Sequence, residues 1–233
     1  MSYPPRLQKT HINTEKEGSF MNNLPYTKTF TAGCDAPLKV QPGHFATNHA
    51  HLNYYFDVTT LKTRSSEARD IAKAMALLYL NDMVIDTIIC MEGTEVIGAY
   101  LAEELKNYGF LSTNAHKTIY VVSPEFNNNS QLIFRQNLVP EIRGKNVMIL
   151  MAMVNTGKAL NKAIECVQYY QGNLAGISSV FSAKDTYEGY PIFSVFGLKD
   201  VPDFASWDYR ECPLCKAGKK IEALVNAYGY AAL

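Results

Sequence analysis

The stretch that most constrains the fold is Asn146 to Gly172, NVMILMAMVNTGKALNKAIECVQYYQG. Val147 to Met153 is an unbroken apolar run without a charge, suited to a strand buried on both faces of a sheet. It stops at Asn155-Thr156-Gly157-Lys158, after which Ala159, Ala163, Ile164, Val167 and Tyr170 recur on one face at helical spacing. Gly172 stands where a left-handed C-cap would end that helix. Such a junction leaves backbone N–H groups without partners and sets the positive end of a helix dipole behind them. The backbone of Asn155, Thr156, Gly157, Lys158 and Ala159 is therefore a candidate phosphate cradle, with the Lys158 ammonium within reach as a point charge. The turn has neither the Gly-Lys-Ser/Thr of a P-loop nor GxGxxG, so triphosphate and dinucleotide fingerprints do not fit.

The same alternation extends along the chain. A helix is expected from Ser65 or Ser66 to about Leu80, with Glu67 in its first turn and Ile71, Ala74, Met75 and Leu78 as its buried stripe. Val84 to Met91 reads as a central strand that runs through Glu92-Gly93-Thr94 into a helix carrying Ile97 and Leu101. Thr118 to Ser123, Leu174 to Ala183 and Pro191 to Phe196 are further strands, and Tyr54 to Val58 is an edge-capable one. Pro124 to Gly144 is a long polar connection without clear structure. The expected fold is α/β, a Rossmann-like parallel sheet with helices on both faces. Ligands bind such sheets at the carboxyl ends of strands, so residues 91–95 and 153–159 form the expected floor of a site.

Composition narrows the partners. Formal net charge is zero over 233 residues, which gives no electrostatic case for nucleic acid or an anionic membrane. No apolar run approaches the ~20 residues of a membrane span, and the polar N-terminus has no secretory h-region. Five scattered cysteines suit a reducing compartment, so a cytoplasmic location is expected.

Val147-Met148-Ile149-Leu150, with Thr156-Gly157 and Ala159-Leu160, resembles the phosphoribosyl-diphosphate (PRPP) motif of type I phosphoribosyltransferases. Gly43-His44-Phe45, His51 and Asn53-Tyr54-Tyr55-Phe56-Asp57 are similar to the N-terminal hood of orotate phosphoribosyltransferases, and some relatives share the Cys-Pro-Leu-Cys-x-x-Gly ending. Pro4-Pro5, several charges and few apolar anchors mark a flexible tail over 1–24, and the resemblance implies a hood segment over 25–60, a phosphoribosyltransferase-like core over 61–200 and a C-terminal segment over 201–233 packed with the hood. It also implies PRPP with magnesium, a pyrophosphate loop at Glu92, Gly93 and Thr94, a flexible catalytic loop carrying Arg135, and a homodimer.

One part of the motif is missing. The two acids that hold the ribose hydroxyls in the family are replaced by Met151 and Ala152, which cannot accept those hydrogen bonds. Met151 is expected in the core or lining the empty ribose position, and restoring Asp at both positions is expected to create PRPP binding. Two readings follow: an orotate-like phosphoribosyltransferase, or a non-catalytic binding or regulatory relative that kept the phosphate loop.

Cys212-Pro213-Leu214-Cys215-Lys216-Ala217-Gly218 has the form of one zinc knuckle, whose turn aims two thiolates at a point. Structural zinc would need further ligands, and Cys34 or His49, with His44 and His51, are the donors in the hood. Reduced thiols in a tight turn are the other reading.

Overall fold

The structure, a computed structural model, describes residues 26–79, 83–107, 114, 118–129 and 131–233; the expected tail over 1–24 lies outside them. Two six-stranded sheets organise the chain. The first takes strands from both ends of it: β1 (Thr27–Thr31), β2 (Cys34–Ala46) and β3 (His51–Asp57). Helices α1 (Thr59–Thr63) and α2 (Ser65–Ala76) lead to β4 (Thr87–Cys90), α3 (Glu95–Asn107) and β5 (Tyr120–Val122). Next come the short β6 (Glu125–Phe126) and β7 (Leu132–Ile133), then β8 (Asn146–Val154), α4 (Lys158–Tyr169) and β9 (Asn173–Ser182). The chain ends with β10 (Thr186–Tyr187), β11 (Tyr190–Gly197), β12 (Ser206–Trp207), α5 (Pro213–Lys216), β13 (Ala223–Asn226) and β14 (Gly229–Ala232).

The second sheet runs β10-β11-β9-β8-β4-β5, parallel except for β10. Its centre is β8, paired with β4 on one side and β9 on the other. The apolar run of β8 is divided by strand alternation between two cores. Met148, Leu150 and Ala152 join the buried faces of α2 and α3. Val147, Ile149 and Met151 join Leu160, Ala163, Ile164 and Val167 of α4. Helices therefore cover both faces, which is why β8 tolerates no charge along its buried length. Leu160 takes the buried place in the first turn of α4 and Ala159 is exposed, a rotation of the expected apolar face. No described helix is long and apolar enough to cross a membrane.

β3 pairs with β2 along one side, while on the other the two-residue β12 meets only His51 and Leu52, so among the described residues no strand covers Tyr54 to Asp57 there and the expected edge stands. Several expectations are corrected. α2 ends at Ala76, and its N-cap is Arg64, whose guanidinium meets Glu67 at 3.1 Å, not Ser65 or Ser66. The segment after Pro124 contains the β6–β7 hairpin and a 3-10 turn at Val139–Glu141. At the end of α4 the left-handed residue is Gln171, with φ 61°, not Gly172. The Gly172 N–H donates to Val167 O and the Gln171 N–H to Gln168 O, which is a Schellman closure. Gly172 sits in a tight space: a Cβ there would lie 3.0 Å from Val147 Cγ2 and from Val167 Cγ1.

The first sheet runs β12-β3-β2-β13-β14, with β1 also on β2. The C-terminal β13 lies parallel to the end of β2, pairing Ala223 with Phe45.

Candidate functional site

A cleft of about 230 Å³ opens between the first sheet and the carboxyl ends of β4 and β8. Asn155 to Leu160 form one wall, and Glu92 and Met153 line it from the two strand ends. Thr47, Asn48 and His49, at the tip of the β2–β3 hairpin, face it together with Val225 to Ala227.

The 155–159 wall is shaped by Gly157, the N-cap of α4, whose φ of 89° is left-handed. A Cβ there would also lie 2.2 Å from Tyr187 Cε2, so both backbone and packing require glycine. As first-turn residues, Lys158 and Ala159 carry N–H groups with no intrahelical acceptor. The Lys158 amide has only a long 3.4 Å contact, to Thr156 Oγ1. Asn155 Oδ1 is buried without a hydrogen-bond partner. Lys158 itself is exposed at the rim.

Of the proposed pyrophosphate loop, only Glu92 lines the cleft. Its backbone is left-handed, φ 61°, unusual for a side chain that is not glycine. Its Oε2 accepts from the amides of Ala152 and Met153, each at 3.2 Å. Burial pushes its carboxyl above the ordinary value, while those two amides and the Lys62 ammonium pull it down. Thr94 is buried, its hydroxyl within reach of Met91 O at 2.9 Å and Leu150 O at 3.2 Å, a structural role. A Cβ on Gly93 would face Lys62 Nζ and the Tyr228 ring.

Sequence reasoning passed over Lys62. Its side chain is buried, and Nζ donates to Glu92 O at 2.7 Å and Ala227 O at 2.6 Å beneath the Tyr228 ring. It ties α1 to two walls of the cleft. No pattern in Leu61-Lys62-Thr63 marks it, because the partners lie 30 and 165 residues away.

Met151 and Ala152 are fully buried in opposite cores, so Met151 does not line the cleft; Met153 does. Arg135 is exposed, outside the cleft lining, and pairs with Glu125 at 2.7 Å. Cys212 and Cys215 meet His44 and His51, not Cys34 or His49: the four nitrogen and sulfur atoms lie within 4.8 Å of one another. Cys34 is buried in the first sheet, its Sγ directed at Ala36 O and its thiol pushed up to about 11 by burial. His49 stays at the hairpin tip, its amide on Thr47 Oγ1.

No family model matches the chain. Over 77 residues it is 31% identical to an orotate phosphoribosyltransferase of Thermoanaerobacter sp. (strain X514), a match covering 32% of this chain and 38% of that protein. Over 139 residues it is 28% identical to the orotate phosphoribosyltransferase of Thermotoga maritima, covering 53% of this chain and 72% of that one. Among solved structures, Leishmania donovani UMP synthase superposes with a TM-score of 0.50 at 19% identity, covering 69% of this chain and 34% of the other. The chain thus spans about a third of the UMP synthase and well under half of the first relative. It has the type I phosphoribosyltransferase fold and is similar in sequence to orotate phosphoribosyltransferases.

Proposed function

We propose that this cleft binds PRPP or a related phosphorylated ribose or nucleotide and transfers the phosphoribosyl group to a pyrimidine-type base. One observation carries the reading: the Glu92 carboxylate and the 155–159 turn line the same cleft, with Glu92 docked on the amides of Ala152 and Met153. A 5′-phosphate would take the amides of the turn from Asn155 to Ala159. Glu92 would supply the ribose or cation contact that β8 itself lacks. In the transfer, a base nitrogen bonds to C1′ as the C1′–oxygen bond to pyrophosphate breaks. A carboxylate oxygen is the hard donor that magnesium takes, so Glu92 fits a magnesium ion carried largely by the pyrophosphate. Assembly as a homodimer is part of the proposal, tested by sedimentation equilibrium.

A second reading has its own support. Met151 and Ala152 turn into the cores, and Arg135 is engaged by Glu125. A relative that binds a phosphorylated ligand without turnover would look the same. Calorimetric titration with PRPP, with and without magnesium, beside ribose-5-phosphate and orotidine monophosphate, separates the two when coupled to a pyrophosphate-release assay with orotate. Magnesium-dependent PRPP binding that weakens in Glu92→Ala, with pyrophosphate release, supports the transferase. Binding of phosphate esters without release supports the relative. No binding of any of them overturns both.

A further inference from the structure

We propose that His44, His51, Cys212 and Cys215 hold one structural zinc ion that clamps the β2–β3 hairpin to the C-terminal segment and thereby fixes two walls of the cleft. The donors come from three places: His44 near the end of β2, His51 at the start of β3, and the cysteines around the short helix α5. His44 Nε2 lies 3.2 Å from His51 Nδ1, 3.5 Å from Cys212 Sγ and 3.7 Å from Cys215 Sγ. Cys215 Sγ lies 3.2 Å from His51 Nδ1. A tetrahedron with Zn–N of about 2.0–2.1 Å and Zn–S of about 2.3 Å has edges of about 3.3 Å between nitrogens and about 3.6 Å between nitrogen and sulfur. These four separations match those edges to within about 0.4 Å, and all four ligand atoms lie within 4.8 Å of one another.

Hydrogen bonding alone does not account for the cluster. His44 Nδ1 lies 2.8 Å from Lys219 O, a carbonyl that can only accept, so the ring proton is on Nδ1 and Nε2 presents one lone pair. Three donor atoms crowd that single lone pair. One cation satisfies all of them, and the Lys219 carbonyl is then the outer partner that orients a metal-bound imidazole. Two thiolates and two neutral imidazoles around a divalent ion give a centre of no net charge, which suits the full burial of His44 and Cys212. The soft sulfur pair selects zinc over magnesium or calcium. With four protein ligands the shell is closed, so the role is structural.

The consequence for the cleft follows from chain order. Between His44 and His51 lies the hairpin tip whose Thr47, Asn48 and His49 face the cleft. Beyond the cysteines, the Glu222 amide donates to His44 O at 2.8 Å and Glu222 Oε1 accepts from the His44 amide at 3.1 Å. Glu222 immediately precedes β13, which supplies Val225 and Asn226 to the opposite lining.

The test is the metal content of the full chain, purified under reducing conditions from zinc-supplemented cells and measured by plasma mass spectrometry. One zinc per chain is expected. The cobalt-substituted protein should show tetrahedral ligand-field bands with thiolate-to-cobalt charge transfer. Cys215→Ser and His51→Ala should lower zinc retention against a chromogenic chelator at least tenfold, while Cys34→Ser and His49→Ala keep it. Removing zinc should speed amide exchange over residues 44–52 and 219–226. A wild-type chain with well under half an equivalent of zinc and no tetrahedral cobalt spectrum overturns the proposal, whether or not any variant folds. Full zinc retention in a folded Cys215→Ser, His51→Ala double variant overturns the ligand set.

Discussion

Glu92 lays a carboxylate oxygen 3.2 Å from the backbone nitrogen of Ala152, so the strand end that lacks an acid is met by one from the neighbouring loop. Burial, the largest influence, holds this carboxyl above its ordinary value. The folded chain therefore binds that proton more readily than the unfolded chain. Stability falls as pH rises from the ordinary carboxylate value through the raised one, and the loss is complete above it. Glu92→Gln keeps an amide-accepting oxygen but cannot ionise. Its stability relative to wild type should grow across the mildly acidic range in urea titrations, and it should be at least as stable at neutral pH. Parallel curves for the two proteins would remove Glu92 as a buried ionised group. PRPP affinity in the same variant should drop at least tenfold, since a charged hydrogen bond contributes about 1.5–3 kcal/mol.

Gly157 carries two separable demands, a φ of 89° and a contact with the Tyr187 ring. Gly157→Ala should destabilise by about 1–2 kcal/mol from left-handed strain alone, with more from the clash. Adding Tyr187→Ala should recover the clash and leave the strain. A double-mutant cycle by urea denaturation reads the coupling directly. Additive effects would mean the ring and the turn move apart without loss. Phosphate-ester binding should weaken in Gly157→Ala even where the ring has been removed, because the amides of the turn are re-aimed.

Gln171 and Gly172 should respond in opposite directions. Gln171 holds φ 61° at the close of α4, so Gln171→Gly should stabilise by up to about 1 kcal/mol. Gly172→Ala should destabilise by about 1–3 kcal/mol, because the new methyl meets Val147, Val167 and Ile142 within 3.2 Å. Thermal melts of both variants decide it. Stabilisation by Gly172→Ala would contradict the tight packing there.

What the sequence disclosed is what local pattern encodes. The charge-free run at Val147 to Met153 suits a strand covered on both faces, and Asn155-Thr156-Gly157-Lys158 interrupts it. Both follow from neighbours in the chain. The cleft needed more: Lys62 acquires its role from Ala227, and His44 from Cys212 and Lys219, pairs that no periodicity links. The N-cap of α2 went astray for a related reason: two serines offered the usual side chain, but extended Arg64 precedes the helix with no side-chain cap bond. At the end of α4 the glycine signal was real but one residue off, because Gly172 answers to packing and Gln171 to the turn.

The same distinction reverses an expectation about Met151 and Ala152. Restoring the two acids that the phosphate motif lacks looks, from sequence, like restoring a ribose site. Both side chains are fully buried, Met151 beneath α4 and Ala152 on the α2–α3 side. A carboxylate at either place has no cation described in the surrounding apolar cluster, and an uncompensated buried charge costs about 3–5 kcal/mol. Met151→Asp with Ala152→Asp should therefore fail to fold, with a lost near-ultraviolet circular dichroism signal and no PRPP binding. Met153→Asp, two residues on and facing the cleft, should remain folded. Its charge beside Glu92 should push the Glu92 carboxyl higher still and strengthen any magnesium dependence of PRPP binding. A double variant that folds and binds PRPP would show that β8 turns these side chains toward the cleft, and would return the ribose contact from Glu92 to the strand.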